Sequence, residues 1–167
     1  MSGIYTIGHS NHSVDTLLEL LHANTIEVVV DVRSAPYSKY FPQFNKHNLE
    51  HKLRNQDFRY LFMGDSIGGK PDNPAFRASD GTIDYARIAS TEKFQHGIDR
   101  LVKGAAEGWT IALLCAEEQP ANCHRHHLIA RELECNRNVA VFHIRSDGQL
   151  VRARELLQSQ PRQINLF

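Results

Sequence analysis

The run Glu27–Val32, EVVVDV, constrains this chain more than any other stretch. Three consecutive valines without polar alternation read as a strand covered on both faces, as in parallel sheets flanked by helices. Upstream, Ile4 to Ile7 forms a second apolar strand candidate, followed at once by Gly8-His9-Ser10-Asn11. Between the two, Ser13 is placed to cap a helix in which Val14, Leu17, Leu18 and Leu21 recur at helical spacing. Strand, helix and strand within about thirty residues predict a right-handed βαβ unit.

The alternation continues downstream. Asn45 is expected to cap a short helix with Leu49 and Leu53 inward, and Phe58 to Phe62 is a third strand candidate. Met63 to Gly81 lacks periodicity and reads as a long binding loop or lid. Thr82 to Ala89 suits one or two helical turns. Thr91 then caps a clearer helix that turns Phe94, Ile98, Leu101, Val102 and Ala105 inward. Trp109 to Cys115 is the fourth strand, Cys123 to Cys135 a helix, Val139 to Ile144 the fifth strand and Leu150 to Leu157 a last helix. The expected fold class is α/β, a single domain with a mainly parallel twisted sheet of about five strands and helices on both faces. That domain covers residues 1–158, and residues 159–167 form a tail.

Composition narrows the partners. Nineteen Lys+Arg balance nineteen Asp+Glu, so no global field draws the chain to nucleic acid or acidic membranes, and any basic footprint is local. The three cysteines, Cys115, Cys123 and Cys135, show no disulfide-like spacing and fit a reducing, cytoplasmic setting. The N-terminus lacks a signal-peptide pattern, and no apolar run is long enough to span a bilayer.

In a sheet of this kind ligands bind beyond the carboxyl ends of the strands. The segments GHSN, RSAPYSKYF and AEEQPANCHR, which follow three of the strands, are therefore expected to meet on one edge. Together YTIGHSN, VVVDVRSAPYS, GDSIGG and LLCAEEQPANCHR resemble the family called Domain of Unknown Function 488, over Tyr5 to Ile144. The resemblance implies an α/β fold and marks these motifs as shared features. It brings no established activity, and DNA-repair labels on some members are a weak pointer to nucleic acid.

The chemistry-bearing residues crowd into these loops. Cys123 at a helix start, beside His124 and Arg125, has the surroundings of an activated thiol nucleophile. The alternative is that His124 and Arg125 bind an anion while Cys123 packs. Cys115, ending an apolar strand, reads as a buried structural thiol. Asp31 and Glu117 are candidate acid/base carboxylates, with His9 assisting; Asp31 and Arg33 paired together is the competing reading. Ser10 and Asn11 suit a sugar or base edge. Tyr37, Ser38 and Phe41 lie in a loop that mixes aromatics with Lys39, suited to stacking a base and meeting a phosphate. A rhodanese- or phosphatase-like thiol site is disfavoured by Glu117 and Glu118, which would repel an anion. No metal and no cofactor are expected, because the Cys and His spacing matches no compact site and consecutive helical residues diverge.

The last five residues, Gln163-Ile164-Asn165-Leu166-Phe167, resemble the short peptides that dock repair and replication proteins on the sliding clamp. Gln163 would set the register, and Leu166 and Phe167 would fill an apolar pocket. The expected function is a nucleotide- or nucleic-acid-processing enzyme, acting on a damaged or modified DNA base and docked on the clamp. A non-catalytic binding module using the same cleft is the alternative.

Overall fold

The computed structural model describes residues 3–159. Six strands form one sheet: β1 (Ile4–Gly8), β2 (Val28–Asp31), β3 (Arg59–Phe62), β4 (Ile111–Cys115), β5 (Val141–Ile144) and β6 (Leu150–Arg152). Their spatial order is β3-β2-β4-β1-β5-β6, and every neighbouring pair except β5–β6 is parallel. The α/β class with a mainly parallel sheet is as expected. The sixth strand corrects the expected helix from Leu150. A turn with Gly148 at φ 84° reverses the chain, so Leu150–Arg152 pairs antiparallel with β5. Helix α7 (Ala153–Ser159) starts only after it.

Strand alternation divides the core in two. Val28 and Val30, Ile111 and Leu113, and Ile4 face α3 (Gly64–Ile67), α5 (Glu92–Ala106) and α6 (Arg131–Asn136). On the other face Val29, Ala112, Leu114 and Ile7 meet Leu17, Leu18 and Leu21 of α1 (Val14–Ala23) and Leu49 and Leu53 of α2 (Lys46–Arg54). Each fully buried Leu or Ile contributes about 1.5–3 kcal/mol, so both layers are needed.

Helix starts follow local chemistry. Ser13 Oγ accepts from the Thr16 N–H at 3.1 Å, and Thr91 Oγ1 from the Phe94 N–H at 3.3 Å. Asp84 does the same for α4 (Tyr85–Ala89), accepting from the Arg87 N–H at 3.1 Å. Asn45 departs from expectation: its Oδ1 accepts from the Ser38 N–H at 2.7 Å and makes no cap bond. It ties the preceding aromatic loop to α2 instead. The stretch from Met63 is also more than a loop, because Met63 and Ile67 are buried and α3 packs against α5.

The winding positions the site. From β1 the chain moves toward β2 and β3 with α1 and α2 on one face, and from β4 toward β5 with α6 on the other. β1 and β4 are neighbours, and the crevice where ligands bind in such sheets lies beyond their carboxyl ends.

Candidate functional site

That crevice is a cavity of about 620 Å³, floored by Cys115, Cys123 and His124 and rimmed by Ser10, Asn11 and Glu117. β1 and β4 stay zipped beyond their ends, with His9 N–H donating to Cys115 O and Ser10 N–H to Ala116 O, both at 2.9 Å. Gly8 permits this approach, since a Cβ there would lie 2.0 Å from the Glu117 carbonyl oxygen. Ser10 closes the turn in the left-handed region, at φ 46°.

Cys115 shares the parity of Ile111 and Leu113, so its thiol emerges on the face that α6 covers. Cys123 enters from the loop before α6, and His124 follows it. The His124 Nε2–H donates to the Val32 carbonyl at 3.1 Å. Its Nδ1 therefore carries the free lone pair, 3.7 Å from Cys115 Sγ and 3.8 Å from Cys123 Sγ. The three ligand-type atoms lie within 4.8 Å of one another. Gly69 leaves room for the ring, because a Cβ there would fall 2.4 Å from His124 Cγ. The neighbouring Cys115 thiol holds Cys123 far below the ordinary thiol range, aided by His124 and the Arg125 charge. The Cys123 sulfur beside it, with burial, pushes Cys115 up. Cys123 is thus the thiol that ionises first.

Asp31 shares the parity of Val29 and lies on the opposite face from the thiols. Its carboxylate is fully buried and accepts Arg33 Nε at 2.9 Å, Arg33 Nη2 at 2.7 Å and the Tyr60 hydroxyl at 2.7 Å. Burial and this bond to Asp31 push the Tyr60 hydroxyl up. Arg33 Nη1 donates to His9 Nε2 at 3.2 Å, while His9 Nδ1–H donates to Ser10 O at 2.8 Å. His9 stacks on Phe44, and burial lowers its pKa to about 4, so it is neutral at pH 7. Asp31, Arg33 and His9 therefore brace the site from below. Asp31 and Arg33, expected as acid/base and phosphate contact, are thus buried against each other and are not among the residues lining the cavity.

Arg125, expected as a substrate contact, is also engaged within the chain. It is fully buried, with Nη1 on the Glu117 carbonyl, Nη2 on the Glu118 carbonyl at 2.7 Å and Nε on Thr6 Oγ1 at 3.0 Å. Its donors hold the loop that follows β4. Thr6 passes its own proton to His143 Nδ1 at 2.7 Å, and His143 Nε2 meets His126 Nδ1 at 3.0 Å. His127 Nε2–H donates to the Ala121 carbonyl, so residues 124–127 point to four different targets, as consecutive residues at a helix start must. Arg125–Ala130 is a π-helical turn, a form often found at functional sites.

Glu117 is exposed, with Oε1 accepting the Gln119 N–H at 2.9 Å. Glu118 is taken by Arg145, at 2.9 Å. The aromatic loop splits. Phe41 lines the cavity, whereas Tyr37 and Tyr40 are exposed, at 78% and 76%. Ser38 Oγ accepts from the Tyr40 and Phe41 N–H groups and shapes this loop.

A family model described as Domain of unknown function DUF488 matches residues 13–131, well over half of the chain. The chain belongs to the DUF488 family. No curated protein and no solved structure matches it. The DUF488 match takes in β2, β4 and the Cys123-His124-Arg125 turn, while His9 to Asn11 precede it. Cys115, which its apolar strand marks as structural, stands beside Cys123, and period-two counting from Ile111 leads there. Sequence reasoning misses Lys70, Tyr85 and Asn122, all on the cavity wall. Tyr85 comes from a segment with no chemical signature and Asn122 from the AEEQPANCHR loop beside the more conspicuous Cys123, whereas the Gly68-Gly69 pair before Lys70 is a visible sign of close approach. Gln163, Leu166 and Phe167 lie outside the described residues.

Proposed function

We propose that the chain is an enzyme whose chemistry is done at Cys115, Cys123 and His124, on a nucleotide or on a base presented by nucleic acid. The observation that carries this reading is the His124 lone pair held between two thiols on the floor of an open cavity. Such a constellation suits nucleophile activation. A volume of about 620 Å³ suits a nucleotide-sized ligand. Ser10, Asn11 and Asn122 offer hydrogen bonds for a base or sugar edge, and Phe41 a ring.

The nucleic-acid part is supported by the ground outside the cavity. A groove of about 540 Å³ is lined by Tyr37, Lys46 and His47, and Lys39 Nζ lies 5.4 Å from the Tyr40 ring centroid. Exposed rings interleaved with cations suit stacked bases and a phosphate backbone, and a base acted on by the thiols would have to leave its stack. The clamp-like peptide Gln163–Phe167 would deliver the enzyme to DNA.

The test is a panel of nucleotides and single-stranded oligonucleotides with normal and modified bases, with products read by mass spectrometry. A product that disappears in Cys123→Ser is expected. Binding that survives substitution of Cys115, Cys123 and His124, with no product from any substrate, would leave a binding module instead. Deleting residues 163–167 should abolish binding to purified sliding clamp, and an intact chain that ignores the clamp sinks that part.

A further inference from the structure

We propose that Cys115, Cys123 and His124 form a three-ligand site for a zinc-class divalent ion, with the fourth coordination position open to the cavity. A nucleophilic dyad needs one thiol and one base. Here two thiols converge on the same imidazole lone pair at nearly equal distances, 3.7 and 3.8 Å. Tetrahedral zinc, with Zn–S about 2.3 Å and Zn–N about 2.0–2.1 Å, separates a sulfur from a nitrogen by about 3.6 Å. Both sulfur–nitrogen edges therefore already match such a site, and all three atoms lie within 4.8 Å of one another.

Two further observations point the same way. The imidazole is held by Nε2–H donating to the Val32 carbonyl, the outer bond that fixes a metal-ligating histidine in its tautomer and orientation. All three residues line the cavity, and both cysteines belong to the apolar cluster that includes Ile129 and Leu128. Two sulfurs and one nitrogen select zinc-class ions over magnesium or calcium. Two thiolates and a neutral imidazole balance a dication, and any thiol proton still present leaves to solvent on binding. Three protein ligands and an open position are the arrangement of catalytic rather than structural zinc, and a water there would be acidified. The role of that water rests on the enzyme reading; the ion site itself does not.

The test uses the reduced full-length chain and cobalt(II) as probe. Expected are thiolate-to-cobalt charge-transfer and tetrahedral d–d bands at one ion per chain, displaced by zinc, with protons released on binding. Zinc should shield Cys115 and Cys123 from alkylation but not Cys135, a readout that requires no variant. Cys115→Ser, Cys123→Ser and His124→Ala should each weaken cobalt by about 100-fold or more, since even outer-shell changes cost about 10–100-fold. Cys135→Ser should bind as the parent does. Absence of the bands in the parent, or zinc that fails to shield Cys115, overturns the site. If cobalt is ignored but Cys123→Ser still removes turnover, the ion fails and the enzyme stands. If cobalt binds and nothing is ever turned over, the reverse holds.

Discussion

Replacing Asp31 by Asn separates a bracing carboxylate from a catalytic one. Asp31 is fully buried and its partner Arg33 is 7% exposed. The substitution keeps the shape but removes the charge facing the guanidinium, and breaking one side of a buried pair costs about 3–5 kcal/mol. With a denaturant slope of about 2 kcal/mol per molar for a domain of this size, the urea midpoint should fall by about 2 M. Tyr60→Phe removes the third hydrogen bond to the same carboxylate and should cost about 1.5–3 kcal/mol alone. Added to Asp31→Asn it should cost distinctly less, because both changes act on one charge. Equilibrium urea unfolding of the parent, the two single variants and the double variant, followed by far-UV circular dichroism, gives the cycle. A midpoint unchanged by Asp31→Asn, with turnover lost, would refute the bracing role and restore a general base.

Three other outcomes follow from the geometry. Burial lowers His9 and His126 to about 4 and His143 to about 3, so each is neutral when folded and protonates near 6.5 when unfolded. The unfolded state then binds more protons below 6.5, and stability is lost as pH falls from 6.5 toward 4; unfolding at pH 5.5 should take up about two to three protons from these rings, and a flat pH dependence contradicts the burial. Gly69→Ala should drive the His124 ring off its place and slow alkylation of Cys123, while the urea midpoint moves far less than for Asp31→Asn; an unchanged alkylation rate refutes the contact. Ser13→Ala should cost about 1 kcal/mol and lower Tm by about 2–4 °C in a calorimeter, with the cavity chemistry untouched.

What the sequence makes legible is whatever repeats along the chain. The valines of β2 and the leucine stripe of α1 state their own burial, and capping by Ser13 and Thr91 needs only a hydroxyl at the right step. The convergence of the loops after β1, β2 and β4 follows from strand polarity alone. Which face of the sheet each residue uses is also written in the strands, in their period of two. Counting by twos from Val29 puts Asp31 on the α1 side, and from Ile111 puts Cys115 on the α6 side, so they never share a cavity. Other features are beyond reach because they depend on partners remote in sequence. Tyr60 meets Asp31 from a neighbouring strand, His124 meets the Val32 carbonyl across the sheet edge, and Arg125 turns inward to carbonyls that carry no mark in a sequence. β6 spans three residues, too few for its period to show.

The Arg125 side chain, reaching back to the Glu117 and Glu118 carbonyls, turns the segment between β4 and α6 into a closed clasp. A clasped loop has spent its conformational entropy during folding, so a ligand entering the cavity meets thiols already in position and orders nothing there. Selectivity then belongs to the walls that are not clasped, around Lys70 and Phe41, and association should follow simple single-step kinetics. The same clasp makes this loop intolerant of changes in length. Gly81 and Gly148, where an added side-chain carbon would meet nothing within 4 Å, mark the turns where inserted residues would be absorbed instead.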